Sequence, residues 1–376
     1  MTQAQHTAAS LIIRDIRVKN LRCHADIQWN CGSQLNMLTG CNGSGKTTLL
    51  EAAYMMAHGR SFRQARDPLL VRRGENQFQI NGVWHRYGPM YVNIRGKQGK
   101  TEIFLQGKSI QRRKDLTGTL PVLVEAPQGR RLVDGLPNER RHWLDGLMMV
   151  CHQGIAIDYQ RYLRAVMQRS RILRRGSGWD ELDGWEHQIV AHGMIIVQAR
   201  QILIEELNSH LATEEMLTET PLCLEMQAPD YDKQMWLSRL QGRRQDDARI
   251  GGLRFGPHCD RIRMIYQQRE IRNAGSRSQQ KLAAIALKMA ECALRVQHRQ
   301  LMPALLLDDC LEALDPERQK RLLHRLSTFC GQVLMTAPSG IHIPQDVDIH
   351  THELTDHGLV SETGPIVLAT DMEEAA

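Results

Sequence analysis

Residues 40–47 read GCNGSGKT and fit the pattern G-x-x-x-x-G-K-[ST]. Few eight-residue stretches restrict a chain so tightly. The loop must follow a strand and open a helix. Only that junction aims consecutive backbone N–H groups and the positive end of a helix dipole at one anion. The flanks comply. SQLNMLTG, 33–40, reads as a short apolar strand, and KTTLLEAAYMMAHG, 46–59, as a helix stopped by a left-handed Gly59. Gly40, Gly43 and Gly45, with Cys41, Asn42 and Ser44 between them, supply the wrapping backbone, and Thr48 completes the cradle. Lys46 is placed to reach β- and γ-phosphates, and the Thr47 hydroxyl to ligate Mg²⁺.

Such a loop needs an acidic counterpart. ALLLDD, 304–309, is an apolar strand ending in two acids. Asp308 is suited to hold Mg²⁺, and Asp309 to polarise an attacking water beside Lys46; paired acids at the carboxyl end of a core strand face the ligand crevice. LEALDPER follows and puts Asp315 where the chain can turn back toward the nucleotide. A third element, AGSRSQQKLAAIALKMA, opens a helix with small polar residues. Ser276, Ser278 and Gln279 read either as an ordinary helix cap or as a second anion site. One phosphate loop needs no second anion site unless a partner subunit shares its nucleotide.

The loop lies near the N-terminus and the acidic strand near the C-terminus, so the nucleotide domain is split. Residues 1–128 form its first part, with strands at 11–18 and 27–29 and an antiparallel meander between 78 and 110. Residues 129–247 read as a mainly helical lobe, from the helical spacing of NERRHWLDGLMMVCH, DYQRYLRAVMQRSRILRR and the run from 181 to 211. Residues 248–376 form the second part, with strand-like character at 253–271, the helix that Ser276 opens, ALLLDD, the helix PERQKRLLHRLSTF and a final core strand QVLMTA. The acidic end DMEEAA is expected to be disordered.

Composition adds three constraints. The chain has no stretch approaching the roughly 18 apolar residues of a membrane span, and MTQAQHTAAS lacks a secretory pattern. Nine cysteines without a C-x-x-C pair suggest free thiols in a reducing, cytoplasmic setting rather than disulfides or zinc. Net charge is +6, and its distribution matters more than its size. Residues 58–73 hold five Arg and one acid, and 130–175 hold ten Arg, no Lys and four acids. Arg suits planar phosphate contacts, so DNA is the expected partner, with Arg60, Arg63, Arg140 and Arg141 as candidates for tracking its backbone.

Taken together, the phosphate loop, helical insertion, signature-like helix, LLLDD and LEALD resemble an ABC-type ATPase head of the SMC-like class. The finer resemblance is to the RecF family. IRDIRVKNLRCHADIQW is similar to its opening strand pair and GCNGSGKTTLLEAAYMMAHGRSFR to its phosphate loop and closing G-R-S-F-R. GLPNERRHWLD, YLRAVMQRSRILR, FGPHCD and SRSQQKLAAIALKMAE match later family motifs in consistent order, from about Leu11 to Ala337. The resemblance implies an α/β P-loop head split by a helical lobe. It implies an ATP-dependent DNA-binding protein with Mg²⁺ as metal, which dimerises on ATP and hydrolyses slowly. Family members act with RecR- and RecO-like mediators at gaps or junctions, help RecA loading and support the SOS response.

The chain departs from the family at four places. Ser278 replaces the signature glycine, Lys281 an arginine, Cys259 and Arg261 the Arg and Asp after G-P-H, and Gln128 an acid. These leave open a nucleotide-gated DNA clamp without significant hydrolysis. An ABC transporter ATPase subunit is a weaker alternative, because LMTAPSG carries no switch histidine. A GTPase would need an N-K-x-D motif, which is absent.

Overall fold

The computed structural model describes residues 9–63, 69–97, 99–117, 119–127, 132–176, 178–229, 231–355 and 360–363. Arg66, Gln128, Arg130, Arg131 and the acidic end lie outside the described residues. The chain forms two compact units, 1–130 with 300–376, and 131–299.

The first unit begins with β1 (Ala9–Ser10), β2 (Ile12–Leu21), β3 (His24–Asn30) and β4 (Leu35–Gly40), then α1 (Lys46–His58). The meander follows as β5 (Gln77–His85), β6 (Pro89–Lys97), β7 (Lys100–Leu105) and β8 (Lys108–Ser109), with α2 (Arg113–Thr117) and β9 (Val122–Glu125) after it. The second unit holds α3 (Pro137–Cys151), α4 (Ile155–Arg175), α5 (Leu182–Ala212), α6 (Glu215–Thr218), β10 (Leu222–Gln227), α7 (Lys233–Gly242) and α8 (Arg244–Ile250). It ends with β11 (Arg261–Tyr266), β12 (Arg269–Glu270), α9 (Ile271–Ala274) and α10 (Arg277–Arg299). The chain then returns to the first unit through β13 (Leu301–Met302), β14 (Ala304–Leu307), α11 (Pro316–Ser327), β15 (Val333–Thr336), β16 (His350–Leu354) and β17 (Val360–Thr363).

Two six-stranded sheets build the first unit, in the orders β17-β16-β4-β15-β14-β9 and β3-β2-β5-β6-β7-β8. In the first, β16, β4, β15, β14 and β9 run parallel, and β4 pairs with β15 through Leu35–Val333 to Leu38–Thr336. The second is antiparallel. The core includes Leu49, Leu50, Ala53 and Met56 of α1, Ile16 and Trp84 of the antiparallel sheet, and Leu38, Leu306 and Leu334 of the parallel one. A helix with apolar contacts on both sides needs no polar face. That is why α1 buries Ala, Leu and Met around most of its circumference. Gly82 of β5 makes room for it: a Cβ there would lie 2.0 Å from Met56 Sδ.

The parallel sheet does not stop at QVLMTA. β16 lies beside β4, with His350 opposite Asn36 and Leu354 opposite Gly40. In the second unit the segment read as helical also contains β10, which pairs antiparallel with β11 from Leu222–Tyr266 to Gln227–Arg261. Residues 248–299, expected with the C-terminal part of the head, pack within the 131–299 unit. Strand structure within 253–271 is confined to 261–266 and 269–270.

The helical part of this unit is tied by buried arginines. Arg169, fully buried, donates to Glu186 and Asp247 at 2.8 Å each and to Leu240 O at 2.7 Å. Arg200 binds Asp145 at 2.6 Å and Pro257 O at 2.6 Å. Buried charges persist only when their hydrogen bonds are filled. These two arginines of the basic lobe therefore serve packing.

Candidate nucleotide site

β4 ends at Gly40 and α1 starts at Lys46, so the loop between them must reverse sharply. Gly45 holds φ +104° as the N-cap of α1. A Cβ there would lie 2.3 Å from His24 Nε2 and 2.6 Å from Cys23 Sγ. Both conformation and close packing demand glycine. No side chain caps the first turn of α1; Thr48 N donates to Gly45 O at 2.9 Å, and the N–H groups of Lys46 and Thr47 are left for an anion.

Lys46 is buried, and its ammonium donates to Gly40 O at 2.6 Å and Cys41 O at 2.9 Å. Thr47 Oγ1 donates to Asp308 Oδ1 at 2.9 Å, and Thr336 Oγ1 donates to the same oxygen at 2.8 Å. Thr336 Oγ1 in turn accepts from Asp309 N at 2.8 Å. The phosphate-loop helix and two core strands thus converge on one carboxylate. Asp308 is 5% exposed. Burial, reinforced by the charge of Asp309, pushes its carboxyl above the usual range, while the Thr336 and Thr47 hydroxyls pull the other way. Asp309 sits at φ +49° just past β14. That conformation is costly for most residues, and Asp is among the few that tolerate it.

Arg22, Cys23, Arg63, Glu312 and Pro338 join loop residues and Asp309 around a cavity of about 460 Å³. Its chemistry fits a magnesium nucleotide. The Thr47 hydroxyl and Asp308 carboxylate are hard oxygen donors of the kind Mg²⁺ prefers, and Mg²⁺ keeps several waters and phosphate oxygens besides. Among the described residues no group of three or more His, Cys, Asp or Glu could hold a metal. Ser44 Oγ is enclosed without a hydrogen-bond partner among the described residues.

Four of these contributors, Arg22, Cys23, Glu312 and Pro338, were not singled out from the sequence. Arg22 lies in the two-residue turn between β2 and β3, and its guanidinium forks onto Glu51 of α1 at 2.5 and 2.8 Å. Ser61 donates to the same carboxylate. Beside it, His24 Nε2 lies 3.1 Å from Gly45 O. A hydrogen bond from His24 draws the Cys23 thiol below its usual range. Burial disfavours the charged His24 ring, but Cys23 and Gly45 O together raise its pKa overall. A polar turn gives no hint of such placement until strand pairing brings it against the loop.

Other expected residues fall elsewhere. Arg63 lines the nucleotide cavity, and Arg60 is exposed. Arg140 is a correction. It is 1% exposed and its guanidinium is spent on Ile262 O, Val133 O and Glu270, so it cannot track a DNA backbone. Arg141 is half-buried and donates to Asp260 O at 2.9 Å. Asp315 caps α11, accepting from Arg318 N at 2.9 Å, and does not line the cavity.

At the start of α10, Ser276 N donates to Gln279 Oε1 at 2.8 Å and Gln279 N donates to Ser276 Oγ at 3.3 Å. This is a reciprocal capping box. Ser278 Oγ lies 3.0 Å from Ser276 Oγ. Lys281, the departure one turn on, is buried. In the FGPHCD stretch, Tyr162 and His258 Nδ1 are 2.6 Å apart, and Cys259 Sγ lies 3.9 Å from Leu253 O. Arg261 is exposed on β11.

The comparisons agree with this architecture. The model of the RecF/RecN/SMC N terminal domain matches residues 12–341. The DNA replication and repair protein RecF of Moorella thermoacetica is 31% identical over 339 residues, covering 88% of this chain and 91% of that protein. Among solved structures, the recombination mediator protein RecF-ATP in the RecFOR pathway superposes with a TM-score of 0.74 at 23% identity, covering 96% of this chain and 100% of the other. The Smc head domain with an extended coiled coil from Pyrococcus furiosus, bound to the C-terminal domain of ScpA, gives 0.60 at 14%, covering 94% and 96%. With a phosphate loop, an acidic strand and a capped signature helix set into an SMC-type fold, the chain belongs to the RecF family of ABC-type ATPase heads.

Proposed function

We propose that this chain is an ATP-dependent DNA-binding protein of recombinational repair. The observation that carries the reading is the convergence of Lys46, Thr47 and Asp309 on one cavity beside an uncapped helix start, with Asp308 bonded to Thr47 behind it. Gly40 to Thr48 hold the phosphates. Thr47 and Asp308 hold Mg²⁺, which when bound screens phosphate charge. Asp309 orients water for slow hydrolysis, with Lys46 countering charge on the γ-phosphate. Ser276, Ser278 and Gln279 of a second copy meet that phosphate, so ATP closes a homodimer. The dimer binds DNA at gaps or single-strand–double-strand junctions without sequence preference, through Arg60 and neighbouring cations. It acts in the cytoplasm with RecR- and RecO-like mediators, helps RecA loading and supports SOS induction. No helix among the described residues is long and apolar enough to cross a membrane.

Light scattering after size exclusion tests the reading, with ATP, ADP or no nucleotide, each with and without duplex DNA. The expected result is a dimer with ATP alone and a larger complex with ATP and DNA. A monomer under all six conditions would refute it.

A further inference from the structure

Two cavities outside the nucleotide site, of about 540 and 450 Å³, lie along the α4–α5 pair and share Arg161. They are two stretches of one groove. On α4 the residues Ile157, Arg161, Arg164, Gln168, Arg171 and Arg175 follow one another at spacings of four, three, four, three and four. On α5 Trp185, Gln188, His192, Ile195, Ala199 and Ile202 follow at three, four, three, four and three. Alternating three and four keeps a row of side chains on one line of a helix. Two adjacent helices with such rows form a seam of the kind that receives a third helix.

Apolar and basic side chains line the groove side by side. Ile157, Ile195 and Ile202 are 56%, 43% and 42% exposed. Ile157 stands on the first turn of α4, and Ile195 and Ile202 are surplus to the packed face of α5, which already buries Ile196, Val197, Leu203 and Ile204. A helix apolar on all sides is normally covered on all sides. On α4, Arg161 and Arg164 line the groove and Arg171 continues their row beyond it; all three are exposed, and none has an ion-pair partner among the described residues. The one acid in the groove, Asp158, is matched by His192 at 2.9 Å.

We propose that this groove docks an amphipathic helix of a partner protein, apolar toward Ile157, Ile195 and Ile202 and carboxylate-bearing toward Arg161, Arg164 and Arg171. From Trp185 to Ile202 the seam runs about 25 Å, which matches about 18 residues of helix. Nucleic acid would use the arginines and leave the isoleucines wet. A second copy of this groove would set like-charged arginine rows against each other, which is unfavourable. An acidic amphipathic helix uses both walls.

The test uses the full chain and two fluorescein-labelled helical peptides of about 18 residues. Both carry leucines at alternating three and four spacing, and they differ in flanking glutamates or lysines. The parent binds the glutamate peptide and not the lysine peptide. Ile195→Glu with Ile202→Glu weakens binding about tenfold or more, roughly 1.4 kcal/mol. Arg161→Glu with Arg164→Glu reverses the preference toward the lysine peptide, a gain that misfolding cannot produce. Equal binding of both peptides, no binding of either, or an unreversed preference overturns the proposal. So does an oligo-dT probe whose binding is lost in the arginine variant and unchanged in the isoleucine variant, which assigns the groove to nucleic acid. Concentration-dependent dimerisation abolished by the isoleucine substitutions assigns it to a second copy and equally overturns the partner helix.

Discussion

Asp308→Asn should separate the stability of the free protein from its response to nucleotide. Both hydroxyl donors, Thr47 and Thr336, fall on the single oxygen Oδ1, at 2.9 and 2.8 Å. Asparagine keeps that oxygen and can keep both bonds. What it removes is the carboxylate charge, which burial and the neighbouring Asp309 disfavour. The nucleotide-free variant should therefore melt at or above the parent temperature, unlike most substitutions at a buried polar residue. With nucleotide the order inverts. At a Mg-ATP concentration 100 times its dissociation constant, a ligand that binds only the folded state adds about 2.7 kcal/mol. For a body of roughly 150–250 residues that raises the melting temperature by about 5–11 °C. The parent should show this shift. The variant should lose most of it, because its amide no longer offers Mg²⁺ an anionic ligand. Differential scanning fluorimetry with Mg-ATP, Mg-ADP and ATP in EDTA measures both halves. A variant that melts lower without nucleotide, or that keeps the full Mg-ATP shift, would refute the role given to this carboxylate.

Asp309→Asn should leave ATP binding near that of the parent and slow single-turnover hydrolysis by about 10² or more; an unchanged rate means another group orients the water. Ser276→Arg should block ATP-dependent dimerisation while the monomer still binds ATP, and Ser278→Gly should strengthen the dimer, because it removes a side chain where backbone donors need close approach. Sedimentation across protein concentration reads both, and a dimer of parental strength in Ser276→Arg rules out the shared site. Arg60→Ala should reduce the salt slope of DNA binding by roughly one unit, whereas Arg140→Ala should lower stability instead; the reverse pattern would put the DNA surface at the buried residue. Glu291 offers a pH test. Burial alone would raise its carboxyl, but Lys288, Arg295 and the Trp143 N–H bring it down to about 2. A carboxyl depressed in the fold stabilises it fully above the ordinary value of 4.5, and that contribution fades as pH falls toward 2. Glu291→Gln should lose on the order of 3 kcal/mol at neutral pH and flatten the acid limb; urea melts from pH 7 downward with parallel slopes for both proteins would contradict this.

What could be read from the chain alone was what neighbours in sequence decide. The loop from Gly40 to Thr47 needs a strand before it and a helix after it, and Leu35–Gly40 and Lys46–His58 supply them. The apolar run before Asp308 is a strand because its residues are buried on both faces, and that too shows locally. What escaped depends on pairing across long separations. HTHEL, 350–354, has no apolar run, yet it becomes a strand because β4 offers it a ladder. LCLEMQ lies in a helical neighbourhood and is a strand because residues 261–266 pair with it. Arginines were the hardest to read. Arg140, Arg169 and Arg200 look like a basic surface in sequence, but carboxylate and carbonyl partners of theirs such as Glu270, Asp247 and Pro257 arrive from 57 to 130 residues away. The same composition on α4 leaves Arg161, Arg164 and Arg171 exposed. Charge density alone could not tell a buried tie from a binding wall; the three–four spacing beside an exposed isoleucine row does.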